Sequence, residues 1–174
     1  MITDRREFFR IWCQIRDHAG DSAGGALSAG VCLLARDRGI PVPCFQMLIY
    51  PVMDERQNSA SMKKYNDTPL WNSRLNEKMW KMYLKDGLPV EKGYASPAEA
   101  VSLEGMPPAY VEVAEYDCLR GEGIAFAEAL KDSGIPAELY ETKRTVHGFE
   151  IAEKNEIVKE SVDRRIKKLR SVFQ

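Results

Sequence analysis

The stretch Ala19-Gly20-Asp21-Ser22-Ala23-Gly24-Gly25 decides how this chain is read. Inside it, Gly20, Ser22 and Gly24 form a G-x-S-x-G pattern, the mark of a serine held on a strained strand-to-helix turn. The flanking glycines are expected there because a Cβ at either would strike neighbouring strand and helix backbone. Ser22 is therefore the candidate nucleophile. Such a turn needs a helix behind it, and Ala26 to Ala35 is apolar nearly all round, as in a helix buried behind a sheet. Arg36-Asp37-Arg38-Gly39 then supplies a basic last turn and a glycine stop. The helix would aim its first N–H groups at Ser22, which makes the N–H of Ala23 the candidate oxyanion donor. The plainer alternative is a glycine-rich turn with a capping serine.

Outward from this turn, strand patterns alternate with helical ones. Phe45 to Tyr50, Ala109 to Ala114 and Ala137 to Glu141 read as strands. Gly123 to Ser133 has helical spacing and stops at Gly134, and Asn155 to Phe173 places Ile157, Val158, Val162, Ile166, Leu169 and Phe173 on one stripe. The basic run Arg164-Arg165-Ile166-Lys167-Lys168 reads as a solvated outer face. This alternation implies an α/β fold with a parallel sheet flanked by helices. Residues 53–93 break the rhythm with polar and charged sequence, four large aromatics and a helical pattern at Met79 to Leu84. They are expected to be a helical insertion lying over the carboxyl ends of the strands, within one domain spanning 1–174. Trp71 and Trp80 either line an acyl pocket there or anchor the insertion.

The 174 residues are 44% hydrophobic and carry a net charge of −1 from 25 basic and 26 acidic side chains. That balance gives no footprint for a nucleic-acid partner, and no apolar run is long enough for a membrane partner. The charged start, without an apolar h-region, places the chain in the cytoplasm. Cys13, Cys32, Cys44 and Cys118 lack C-x-x-C spacing and read as small buried hydrophobes, not as a metal site.

A serine nucleophile needs a base to take its proton and a carboxylate to hold that base in one tautomer. Of the two histidines, His147 lies on a loop after a strand and His18 lies just before the elbow. His147 is the candidate base. Asp117 ends a strand at the same edge and is the candidate carboxylate, although it could equally cap the following helix. The chain order Ser22, Asp117, His147 is that of α/β-hydrolases.

Five segments then carry a resemblance: Gly20-Asp21-Ser22-Ala23-Gly24-Gly25, Leu48-Ile49-Tyr50-Pro51, Gly105-Met106-Pro107-Pro108-Ala109-Tyr110, Tyr116-Asp117-Cys118-Leu119-Arg120 and His147-Gly148-Phe149. Over residues 19–152 the chain resembles the hormone-sensitive-lipase-like branch of the α/β-hydrolases, bacterial acetyl esterases and carboxylesterases in particular. The resemblance implies a partial α/β-hydrolase fold and hydrolysis of small, short-chain carboxylic esters through an acyl-enzyme. Ser22, His147 and Asp117 would be the catalytic residues, with no metal or organic cofactor.

Three departures accompany the likeness. Family members carry strands and an H-G-G-G-type loop before the elbow, and that loop supplies further oxyanion donors; this chain has no such motif. Losing one donor costs on the order of 10²- to 10³-fold in rate, so a catalytically impaired remnant or ligand-binding module, as in the similar plant gibberellin receptors, is the alternative. Ile15-Arg16-Asp17-His18 is charged where a buried strand belongs, and Phe8, Ile11, Trp12 and Ile15 are spaced for a helix, so the elbow strand is expected to be missing or poor. Gly121 stands where relatives commonly have an acidic residue. An uncovered sheet edge beside the elbow would invite a second copy to pair, giving a homo-oligomer.

Overall fold

The computed structural model describes residues 17–172. The helix-spaced positions Phe8, Ile11, Trp12 and Ile15, together with Cys13 and Phe173, lie outside the described residues. Four strands form one parallel sheet in the order β1 (Asp17–Asp21), β2 (Phe45–Ile49), β3 (Ala109–Ala114) and β4 (Ala137–Thr142). The elbow strand is thus present, against the expectation, and pairs with β2 from Asp17 opposite Phe45 to Asp21 opposite Ile49. It is short, and Ala19 and Asp21 are exposed. Backbone pairing, which needs no apolar side chain, makes this strand.

The two central strands are buried at every position, as a parallel sheet covered on both faces requires. Helix α1 (Ala23–Asp37) crosses from β1 to β2, and α4 (Arg120–Asp132) crosses from β3 to β4. Both crossovers step the same way along the sheet, so their common hand puts both helices on one face. Ala29, Leu33, Phe126 and Leu130 pack there on Leu48, Val111 and Val113. Full burial of a side chain such as Leu33 contributes about 1.5–3 kcal/mol. Between β2 and β3 lie α2 (Ala60–Lys64) and α3 (Ser73–Tyr83), whose Ser59 and Asn72 caps accept from Met62 N and Leu75 N. Trp80 buries itself against Ala26, Val52 and Leu119 and so anchors α3 to the body.

Two helices differ from their sequence reading. α1 is not buried all round: Leu27 and Val31 are 54% and 43% exposed. On the other face of the sheet, α5 (Glu156–Val172) leaves Val162 and Ile166 exposed and turns inward a row containing Val158, Ser161, Arg165 and Leu169. The basic run is therefore not simply a solvated face. The cause is Glu112, a fully buried acid in the middle of β3. Arg165 Nε and Nη2 each reach it at 2.9 Å, and Tyr110, Thr142 and Ser161 donate hydroxyls to it. A buried charge without partners would cost several kcal/mol, about the scale of whole-domain stability. That demand sets the rotation of the helix.

Candidate active site

Ser22 follows β1 directly, with φ of 54°, a strained value for a residue bearing a Cβ. The turn is held from both sides: Ser22 N–H donates to Ile49 O at 2.9 Å, and Val52 N–H donates to Ser22 O at 3.1 Å. A Cβ on Gly20 would overlap the Gly24 carbonyl, and one on Gly25 would sit 2.5 Å from Pro51 Cβ. The expected clash at Gly24 itself does not occur, since a Cβ there would meet only Asp21 Oδ1 at 3.7 Å. The close approaches thus belong to Gly20 and Gly25, and Gly24 contributes its carbonyl to one of them.

Asp117 lies past the end of β3 and His147 past the end of β4, so all three side chains stand at the carboxyl edge. His147 Nδ1 is 2.7 Å from Asp117 Oδ2, and Nε2 is 2.9 Å from Ser22 Oγ. A carboxylate can only accept, so the proton sits on Nδ1 and Nε2 is left to accept from the serine hydroxyl. Asp117 is fully buried, and its other oxygen accepts from Leu119 N at 3.0 Å. One oxygen therefore faces the imidazole, and the other closes the turn before α4, whose N-cap is Leu119 without a side-chain cap, so Asp117 does not cap that helix. Ala23 begins α1, so its N–H is among the donors that a helix leaves without an intrahelical partner. His18 pairs in β1 opposite Gln46, away from this edge.

Two nearby residues, Tyr50 and Glu122, have no site role in the sequence reading. Tyr50, just past β2, adopts φ of 34° although a proline follows it, and its ring centroid is 4.5 Å from that of His147. Its place at the same sheet edge as Ser22 was the available signal. Trp71 puts its ring 5.9 Å from the imidazole and donates its indole N–H to Asn76. Of Trp71 and Trp80, Trp71 stands against the imidazole, and Trp80 anchors the insertion while lining the groove beside Ala23. Glu122, in the first turn of α4, accepts from Met53 N at 2.7 Å and Asp54 N at 3.3 Å. Burial pushes its carboxyl up to about 8 against those two donors. At Gly121 a Cβ would lie 2.8 Å from Ser61 Oγ, which accepts the Gly121 N–H, so the start of α2 occupies the place of a side chain. Among the described residues no three metal-ligating side chains cluster, and no helix is long and apolar enough to cross a membrane.

A parallel sheet presenting a hydrogen-bonded Ser, His and Asp in that spatial sequence at its carboxyl edge defines the hydrolase class of α/β proteins. Residues 18–151 match the alpha/beta hydrolase fold family, and this chain belongs to it. The carboxylic ester hydrolase LipN of Mycobacterium tuberculosis is 39% identical over 135 residues, 75% of this chain and 36% of its own length. Esterase LipI of the same organism is 36% identical over 132 residues, 75% of this chain and 41% of its own length. The solved structure of a bacterial heroin esterase superimposes with a TM-score of 0.86 at 34% identity, covering 91% of this chain and 51% of that one. The chain spans 36% to 51% of the length of these relatives.

Proposed function

We propose that this chain carries the reacting groups of a carboxylic-ester hydrolase acting on small, short-chain esters. The observation that carries the reading is the continuous hydrogen-bond chain from Ser22 Oγ through His147 to Asp117. Ser22 Oγ attacks the ester carbonyl carbon while His147 Nε2 takes its proton, and Asp117 stabilises the imidazolium. The carbonyl oxygen becomes an oxyanion, which the Ala23 N–H meets. Collapse of the tetrahedral intermediate breaks the bond to the alcohol oxygen, which leaves with the proton from His147. Water then repeats the sequence on the acyl-serine, releasing the acid and restoring Ser22.

An apolar groove of about 460 Å³ begins at Ala23 and continues along Leu27, Val52, Trp80, Met82 and Tyr83. Its lining suits the hydrocarbon part of an ester and offers nothing to a polyanion. The esterase names of the relatives favour the same substrate class. Residues 53–93, which carry α2, α3 and Trp71, act in this reading as an insertion of a single domain that walls the site. β1 is the edge strand among the described residues, which favours pairing with a second copy, and the undisulfided, buried Cys32 and Cys118 favour a reducing, cytoplasmic setting.

Hydrolysis of p-nitrophenyl acetate, compared with the Ser22→Ala variant, tests the reading. Turnover that Ser22→Ala abolishes supports it. Equal rates for the two proteins overturn it and leave the impaired or ligand-binding alternative.

A further inference from the structure

We infer that Tyr50 is a positioning residue for His147, held in place by a relay through Glu150 and Arg165 to the buried Glu112; this rests on the ester-hydrolase reading of the site. His147 must meet Asp117 and Ser22 with the same ring, so its plane has to be fixed about both side-chain torsions. Gly148, the next residue, has φ of 67°, a conformation open to glycine at little cost, and so sits where the loop can pivot.

The restraint comes from the far side of the sheet. The Tyr50 hydroxyl donates to Glu150 Oε2 at 2.8 Å, and Glu150 lies on the short helix Phe149–Ile151 directly after the histidine. Arg165 Nη2 stands 2.6 Å from Glu150 Oε1, an ion contact whose N–H direction falls outside hydrogen-bond geometry. The same guanidinium makes two hydrogen bonds to Glu112, which Thr142 and Ser161 also hold. One Arg thus ties the His147 loop to the centre of β3.

Tyr50 is fixed at its other end as well. Its N–H donates to Glu112 O at 2.6 Å, and its backbone is strained. Strain of about 1–3 kcal/mol persists only where the surroundings over-determine a residue. Here the strained residue is the one whose ring lies against the imidazole, just as strained Ser22 lies against its other end. Two neighbouring strands therefore each end in an uncommon backbone conformation, and both side chains converge on His147.

The test uses the full chain and two readouts. One is the rate at which a fluorophosphonate probe labels Ser22; the other is the nuclear magnetic resonance signature of the His147 ring, assigned with a His147→Asn variant. Tyr50→Phe keeps the ring and removes only the hydroxyl. It should slow labelling about ten-fold, inside the 10² that a misplaced reactive group can cost, and should shift or broaden the His147 ring signals. Glu150→Ala should do the same, and Glu150→Gln, which can still accept from Tyr50, should recover at least half of the lost rate.

Folded Tyr50→Phe protein that labels at the wild-type rate with unmoved ring signals overturns the inference. If Glu150→Ala fails to fold, Tyr50→Phe decides alone. Wild-type protein that the probe never labels at Ser22 would count against the ester-hydrolase reading, and the ring signals would still decide the positioning.

Discussion

The two sides of the site are built by different means. On the Ser22 side, β1 is the edge strand among the described residues, its neighbours are partly exposed, and the turn is held by close backbone packing at Gly20 and Gly25. On the His147 side, Asp117, Glu112 and Arg165 form a charged and hydrogen-bonded interior behind the loop. Shape holds the nucleophile, and electrostatics hold the base. Shape can be specified by glycines adjacent in sequence. A charge network must be assembled from distant elements, so it forms only when the sheet and α5 are both in place.

The largest effect should come from the charged side. Glu112→Ala leaves Arg165 half-stranded in the interior and should cost about 3–5 kcal/mol, the usual penalty for removing one partner of a buried pair. Urea unfolding measures it; a loss comparable to a surface substitution would mean that water reaches the pair. Burial pushes the Glu112 carboxyl up, but the Arg165 hydrogen bonds and charge, with Thr142 and Ser161, bring it net below the ordinary range. Its stabilising contribution is therefore full above the unfolded value of about 4.3. It disappears as pH falls through the lower folded value, a limb that Glu112→Ala should lack.

On the side held by shape, Gly20→Ala drives a methyl into the Gly24 carbonyl. It should cost about 1–3 kcal/mol by overpacking and slow Ser22 labelling. Gly24→Ala has room for its methyl, so the two variants together separate close packing from the motif as such. Equal losses at both positions would refute the division.

Glu122 tests the charged side through pH. Its folded pKa, raised to about 8 by burial, means that its contribution is full in acid and lost as pH rises from 4.5 through 8. Glu122→Gln should gain on wild type across that window in unfolding free energy and gain nothing further above it. A constant difference between the two would show that the carboxyl ionises freely. The smallest effect on stability should be that of Leu27→Gln, within about 0.5 kcal/mol because the side chain is already exposed.

The sequence by itself determined the elbow, the order Ser22, Asp117, His147 and the strands β2, β3 and β4. Each follows from local rules: glycine where backbones touch, apolar runs for buried strands, and a chain order that only one topology brings to a common edge. The strand before the elbow was hidden because its partner is backbone, and the polar sequence Asp17-His18 does not prevent pairing with β2. The rotation of α5 was misread for a related reason. Helical periodicity counts apolar residues, and Val162 and Ile166 make a plausible stripe, yet Glu112 sits in β3 and calls Arg165 inward instead. One acid inside the run Ala109 to Ala114 was the visible sign. Which of many basic residues would answer it, and which aromatic ring would settle against His147, depends on distances between elements remote in the chain. Only the folded packing of the sheet and its helices decides those.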